Sequence, residues 1–337
     1  MQTTQARAIG RRLLAWYRRN RRDLPWRLER DPYRIWVSEV MLQQTTVAAV
    51  IPYYRRFLKS FPTVGALARA GEPRVLAAWS GLGYYRRARA LHQAARLIVE
   101  RHGGHFPRRP EEALALPGVG RYTAGAVLSI AYGLKEPVLD GNVTRVLSRL
   151  RLLRDDPRGG AAQKRLWGMA RSLVEASRSP GDLNQALMEL GAIVCTPASP
   201  SCLVCPLAPG CLARDAGEQE TIPPPRRGRR PETQRLKVAV VRRAGRLLMR
   251  RRGRTGLMDG LWELPELDGD PALRPIGRIG KVRHAVTFRR MEIEVHDAAL
   301  LSEPATPPYR WVTPAALGRL PIASLTRKTL RAAGFEV

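Results

Sequence analysis

The sequence predicts a mainly α-helical region through residue 215, followed by an α+β domain over residues 234–337. Three observations predict this. Apolar residues recur at three- and four-residue spacing from Ala6 onward, composition shifts to proline and arginine after Arg214, and beyond that point hydrophobicity alternates with a period near two. The 337 residues are 44% hydrophobic, which suffices for two domains with separate cores and excludes a disordered tail. Lys and Arg number 58 against 29 acids, a net charge of +29, and so large an excess points to a polyanionic partner. Arginine-rich coding in the source genome is a second reading of part of that excess. No apolar run approaches a membrane span, and the N-terminal stretch Met1–Leu14 lacks the apolar core of a secretory signal, so a cytoplasmic protein is expected.

The first helix is expected over Ala6–Asn20, where Ile9, Leu13, Trp16 and Tyr17 share a face and Arg7, Arg11, Arg18 and Arg19 surround it. Residues 1–30 hold nine Arg and two acids, a net of +7, which suits either a helix lying near DNA or a solvated basic face. Leu24-Pro25-Trp26-Arg27 ends the segment. The next helical pattern, Tyr33–Thr45, carries Glu39 among Trp36, Val37, Val40, Met41 and Leu42, with no other acid between Asp31 and Glu72. Burial disfavours an ionised carboxylate and raises its pKa, as a proton donor requires; a helix-surface glutamate is the other reading. Helical patterns then fill residues 47–102, broken at Phe61-Pro62, Gly71–Pro73 and Gly81–Gly83. The corner Trp79–Tyr85, followed by Arg86, Arg87 and Arg89, suits a wedge for a base stack or a core aromatic pair.

Pro117-Gly118-Val119-Gly120 forms a glycine turn that opens directly into an apolar helix, and Asp140-Gly141-Asn142 opens another. Unpaired backbone N–H groups at such a helix start can hold a phosphate, although an ordinary helix-turn-helix corner has the same pattern. Asp140 in isolation reads as the N-cap of the helix that follows. Helical stretches at Gln163–Val174 and Gly181–Gly191 come next, the latter with Leu183, Leu187 and Leu190 on one face and Gln185 and Glu189 off it. All four cysteines then fall together as Cys195-x6-Cys202-x2-Cys205-x5-Cys211, a spacing that suits tetrahedral zinc or an iron–sulfur cluster. A Pro- and Arg-rich linker is expected at 216–233, and strands at Leu236–Val241 and Met291–Val295. No internal repeat is present, and neither is the G-x5-E-x7-R-E-x-x-E-E pattern of phosphohydrolases acting on nucleoside diphosphate derivatives.

Five motifs in register resemble the MutY-type adenine DNA glycosylases of the helix-hairpin-helix superfamily: Ser38–Thr45, Gly81–Tyr85, Leu116–Gly120, Leu139–Val143 and the cysteine spacing. The resemblance spans essentially the whole chain. It implies a mainly α helix-hairpin-helix glycosylase fold: a six-helix barrel over 32–140, and an iron–sulfur helical domain uniting 1–31 with 141–215. Residues 234–337 would form a C-terminal α+β Nudix-like domain that reads 8-oxoguanine. It further implies a [4Fe-4S] cofactor on Cys195, Cys202, Cys205 and Cys211, and a bacterial, nucleoid-associated monomer acting on double-stranded DNA with A:8-oxoguanine or A:G mispairs. By the same resemblance Glu39 protonates the departing adenine, Asp140 stabilises the sugar cation, and Tyr122 and Asn142 orient the two carboxylates. Tyr122 stands where the endonuclease III type carries a lysine, and a phenol cannot form a Schiff base, so monofunctional chemistry is expected. Arg27 and Gln185 match the adenine pocket, Gln44, Thr45, Leu82 and Tyr84 the residues wedging the duplex, and Gly118 and Gly120 the phosphate-gripping hairpin. One departure stands out: where the family's recognition loop reads Phe-Ser-His before a strand, this chain has Val282-Arg283-His284, so Arg283 and His284 are expected to touch the lesion or the DNA backbone.

Overall fold

The computed structural model describes residues 3–225, 229–253, 258–303 and 308–337. Residues 226–228 of the expected linker lie outside the described residues. The chain forms two compact units, one of residues 1–58, 63–65 and 93–227, the other of residues 59–62, 66–92 and 228–337.

Helices α1 (Thr3–Asn20), α2 (Pro32–Leu42), α3 (Val47–Ser60), α4 (Val64–Arg69), α5 (Glu72–Trp79), α6 (Tyr85–His102), α7 (Pro110–Leu114) and α8 (Arg121–Tyr132) come first. They are followed by α9 (Gly141–Leu150), α10 (Gly160–Glu175), α11 (Pro180–Ile193) and the single turn α12 (Leu212–Asp215). The expected break at Gly71–Pro73 is a helix start: Gly71 is the N-cap of α5 and Pro73 sits in its first turn, where its missing N–H costs nothing. In the first unit one apolar core gathers Leu13, Trp16 and Tyr17 of α1 with residues of α8, α9, α10 and α11, among them Val143, Leu147, Leu166, Leu173, Leu183 and Leu187. The α1 arginines 7, 11, 18 and 19 occupy the exposed side that this burial leaves over. The stretch after α12 stays with this unit: Ile222 is buried and its carbonyl accepts from Arg149 Nε at 2.8 Å. The chain therefore leaves the helical unit later than the composition change at Arg214 suggests.

The second unit carries two sheets. Strand β1 (Glu232–Val240) runs parallel to β6 (Arg289–Leu300), which pairs antiparallel with β5 (Leu273–Val286), giving the order β1-β6-β5. The other sheet joins β2 (Arg242–Arg243), β3 (Arg246–Arg251) and β4 (Trp262–Glu263), with β7 (Tyr309–Val312) also paired to β3. Helices α13 (Pro314–Leu317) and α14 (Ser324–Ala332) complete it, α14 packing on β5, where an added Cβ on Gly280 would come within 3.2 Å of Ala332. The α5–α6 corner belongs to this unit. Ser80 Oγ and Tyr85 Oη both donate to the Ile322 carbonyl, at 2.5 and 3.0 Å, and Arg327 Nη2 donates to Ser80 Oγ at 3.1 Å. Among the described residues no helix is long and apolar enough to cross a membrane.

Candidate active site

Glu39 owes its place to α2. Asp31 caps that helix, accepting from the N–H groups of Tyr33 and Arg34, and Pro32 fills its first position. The helix then buries almost its entire circumference, and Glu39 is 5% exposed. Helix α8 packs against α2 and presents Tyr122, whose hydroxyl donates to Glu39 Oε2 at 2.5 Å. Met188 Sδ of α11 lies 3.2 Å from the same phenol oxygen. Burial pushes the Glu39 carboxyl up to about 7; the Tyr122 hydrogen bond opposes the rise, Asp140 adds to it and Arg27 opposes it. Burial, reinforced by the two carboxylates, holds the Tyr122 phenol well above its ordinary value, so it remains a donor at neutral pH.

The hairpin before α8 explains how Tyr122 arrives there. Gly118 has φ +74°, a conformation open to glycine at little cost, and Val119 is buried beneath the turn. Gly120 is the N-cap of α8 without a side-chain cap, and nothing lies within 4 Å of where its Cβ would stand. A backbone N–H edge that faces open space at a helix N-terminus can meet a phosphate directly. Beside it the Arg121 guanidinium stacks 3.8 Å above the Trp167 ring.

Asp140 is the N-cap of α9, with Oδ1 accepting from Val143 N at 2.7 Å and Oδ2 from Asn142 Nδ2 at 2.9 Å. Burial raises its pKa, and the hydrogen bonds from Val143 and Asn142 pull against that rise. Asn142 is itself held, its Oδ1 accepting from Arg145 Nη2 at 2.8 Å. Arg145 also donates to the carbonyls of Gly191 and Cys195, both at 2.7 Å. Helix α11 can approach this closely only because Gly191 lacks a side chain, since a Cβ there would stand 2.6 Å from Asn142 Cβ and 2.9 Å from its carbonyl oxygen. The capping reading and the carboxylate reading of Asp140 are both present in the geometry.

Arg27, in a short 3-10 turn at Pro25–Arg27, is tied to Glu189 of α11 at 2.8 Å, and Arg22 grips the same carboxylate from its Nε, Nη2 and backbone N at 2.8–2.9 Å. Gln185 is half-buried one turn earlier on α11. Glu189, Asn184, Arg145, Arg149 and Met188 were not singled out by sequence reasoning. Glu189 lies off the leucine face, as expected, yet is 1% exposed because its partners come from the chain's first thirty residues. Asn184 is fully buried, donating to Ser129 Oγ and the Glu136 carbonyl at 2.8 Å, which ties α11 to the segment leading into Asp140. Its position inside an apolar helix face was the available signal, since such an amide needs partners.

The four cysteines lie in one loop, all half-buried, with Cys195, Cys205 and Cys211 against the helical core. Burial pushes the Cys205 thiol up to about 11; a bond from the Leu207 N–H opposes this, and Cys195, Cys211 and Cys202 add to it, so the four sulfurs feel one another. Holding them as thiolates requires positive charge. Arg149, buried at 2% exposure, supplies some: Nη1 donates to Cys195 Sγ at 3.3 Å and to the Thr196 carbonyl at 2.7 Å, and Nη2 to that of Pro197 at 3.0 Å. Among the described residues no group of three or more His, Cys, Asp or Glu closes on a single-ion site. An all-sulfur donor set braced by arginine fits a thiolate-bound metal centre, zinc or an iron–sulfur group.

The remaining expected contacts are distributed over both units. Gln44, with φ +59°, is exposed at the C-terminal end of α2, and the half-buried Thr45 bonds back to the Gln43 carbonyl at 3.4 Å. In the second unit Tyr84, with φ +48°, is 46% exposed and lies under Arg87, whereas Leu82 is 7% exposed, so wedging by Leu82 would require the corner to open. The expected recognition loop at Val282-Arg283-His284 is a correction: these residues lie inside β5, paired with Ile293, Glu292 and Met291 of β6, and the turn comes at Thr287–Phe288. Alternation of Val282 and His284 with exposed Arg283 and Ala285 satisfies the sheet, which is why the segment extends as strand. Arg283 faces Glu292 at 3.7 Å, and burial followed by Lys328 lowers the pKa of His284.

A buried carboxyl group hydrogen-bonded by a phenol and a half-buried one hydrogen-bonded by an amide, beside a glycine hairpin, suit an enzyme that cleaves a glycosidic bond with two carboxyl groups. Residues 37–172 match the HhH-GPD superfamily of base excision DNA repair proteins, and residues 237–332 match the NUDIX domain. A thermostable thymine-DNA glycosylase is similar at 31% identity and a TM-score of 0.56, over 64% of this chain and 99% of that one. An endonuclease III trapped as a covalent intermediate with DNA shares the fold, with a TM-score of 0.53 and 22% identity over 64% of this chain and 99% of that one. The chain belongs to the adenine DNA glycosylase family: it is 37% identical to the adenine DNA glycosylase of Homo sapiens over 95% of its own length and 72% of the human protein. It is accordingly a DNA N-glycosylase.

Proposed function

We propose that this enzyme removes adenine mispaired with 8-oxoguanine or guanine from duplex DNA, acting as a monomer and leaving an abasic site. The observation that carries the reading is the pair of carboxyl groups, the buried Glu39 under the Tyr122 hydroxyl and the half-buried Asp140 at the start of α9. Adenine must leave the base stack, since its glycosidic bond is unreachable within the duplex. Gly118 and Gly120 grip the backbone, Arg27 and Gln185 line the base pocket, and Gln44, Thr45, Leu82 and Tyr84 are the residues that would contact the opposite strand. Glu39, able to hold a proton near neutrality, passes it to adenine N7, and the C1′–N9 bond then breaks with neutral adenine leaving. Asp140, with both oxygens fixed by Val143 and Asn142, faces the resulting oxocarbenium-like sugar and stabilises or traps it before water completes hydrolysis. Tyr122 orients Glu39 and offers no amine for strand cleavage.

Cys195, Cys202, Cys205 and Cys211 would hold a [4Fe-4S] cluster, which would cross-link the loop that joins α11 to α12. Arg283 and His284, on a strand near its hairpin end, contact the lesion-bearing strand. The test is single-turnover adenine release from duplexes with adenine opposite 8-oxoguanine, guanine or thymine, with and without alkali. Release opposite 8-oxoguanine and guanine, with strand breaks appearing only after alkali, is expected. Strand cleavage without alkali, or trapping of the enzyme on DNA by borohydride, would establish a lyase instead.

A further inference from the structure

We infer that Glu189 is a positioning residue for the proton donor: its buried carboxylate sequesters the Arg27 guanidinium, so that Arg27 does not pair with Glu39 and Glu39 stays able to carry a proton. The inference rests on the reading above, in which Glu39 is the acid. Glu189 accepts three bonds from Arg22 and one from Arg27, so both of its oxygens are engaged. Arg27 is engaged by that bond, by donation from its Nη1 to the Arg22 carbonyl at 3.0 Å, and by packing 5.4 Å from the Tyr17 ring centroid. Its side chain is 11% exposed, so solvent screens it little and its charge must be matched within the protein.

The groups facing Glu39 are Tyr122 from α8, Asp140 from the start of α9 and Arg27 from the 3-10 turn. Arg27 is the cation among them and favours the ionised form of Glu39, which is the wrong form for an acid. Burial alone would push the Glu189 carboxyl up, yet the bonds from Arg22 and Arg27 hold it at about 2, so it is an anion wherever the enzyme works. It therefore offsets Arg27 at every relevant pH. Without that anion, the Arg27 charge acts uncompensated on Glu39 and favours its ionised form.

The experiment is the pH profile of single-turnover adenine release, with enzyme in excess over DNA, for the full-length protein, Glu189→Gln and Arg27→Gln. Glu189→Gln should move the alkaline limb down by about one pH unit, an about tenfold extra loss on the alkaline side against little change on the acid side. Arg27→Gln should move the limb upward, whatever its effect on the maximal rate. Shifts of opposite sign are something a merely structural staple would not produce. A uniformly lower rate with an unmoved midpoint in Glu189→Gln overturns the inference; if that variant does not fold, an unmoved midpoint in Arg27→Gln does so alone. Absence of adenine release by the wild-type enzyme would instead overturn the functional reading.

Discussion

Glu39 is a carboxyl group held out of water and Asp140 one held half-buried at a helix start, and each can be tested for what its placement costs and what it does. The fold raises the Glu39 carboxyl from an ordinary 4.5 to about 7, so it favours the protonated form and becomes less stable as pH rises between those values. The penalty is complete above the folded value and amounts to about 3 kcal/mol. Glu39→Gln keeps an acceptor for Tyr122 without the charge, and it should melt later than wild type at alkaline pH, with the gain vanishing once both states of Glu39 are protonated. Urea melts across pH check this, and the same variant should lose adenine release. Asp140→Asn separates capping from chemistry, because asparagine caps as well as aspartate: stability should change by less than about 1 kcal/mol while excision collapses. A large stability loss with retained excision would make Asp140 a cap and no more. The seclusion of Glu39 is legible in its run of apolar neighbours. That of Glu189 is not, because its partners lie 162 and 167 residues away and periodicity carries no information over that distance.

At the scale of elements, the site is a matter of how closely α11 approaches α9. Gly191 sits against Asn142, which fixes Asp140, while Arg145 Nη2 bridges the Gly191 carbonyl and Asn142 Oδ1. Gly191→Ala places a methyl group under 3 Å from backbone and Cβ atoms of Asn142, a contact that side-chain rotation cannot relieve. Overpacking of this kind costs about 1–3 kcal/mol, and the shift falls on the amide that orients Asp140. The variant should remain folded by circular dichroism and lose at least about tenfold in single-turnover rate, since misplacement near the chemistry is amplified. An unchanged rate would show that Asn142 placement tolerates movement. The helices themselves are readable from spacing and turn residues, as with the Pro117–Gly120 turn and the Asp140 cap. The β5–β6 hairpin was not, because the expected loop at residues 282–284 alternates in burial as a strand does and the chain reverses only at Thr287, which takes up φ +56°.

At the scale of the whole molecule, composition and compactness divide the chain differently. Proline and arginine after Arg214 mark a boundary in the sequence, yet the α5–α6 corner gathers with the C-terminal residues, through hydrogen bonds no local pattern reveals. Ser80 and Tyr85 are 4% and 6% exposed, and both direct their hydroxyls at one carbonyl, Ile322. A chain ending at residue 225 keeps Glu39, Tyr122, Asp140 and all four cysteines, so the chemistry should survive. It loses the acceptor for two hydroxyls, the Arg327 donor to Ser80 and the Asp259 carbonyl that accepts from Arg89. Each hydrogen bond contributes about 1 kcal/mol net, and the apolar surface uncovered around the corner adds to the loss. The truncated enzyme should therefore unfold at lower urea, with faster amide exchange concentrated in residues 66–92, while its single-turnover rate on an A:G duplex stays within a few-fold of the full chain. Unchanged exchange across the corner would mean that α5 and α6 hold their shape without the C-terminal domain, and that the domain serves recognition alone.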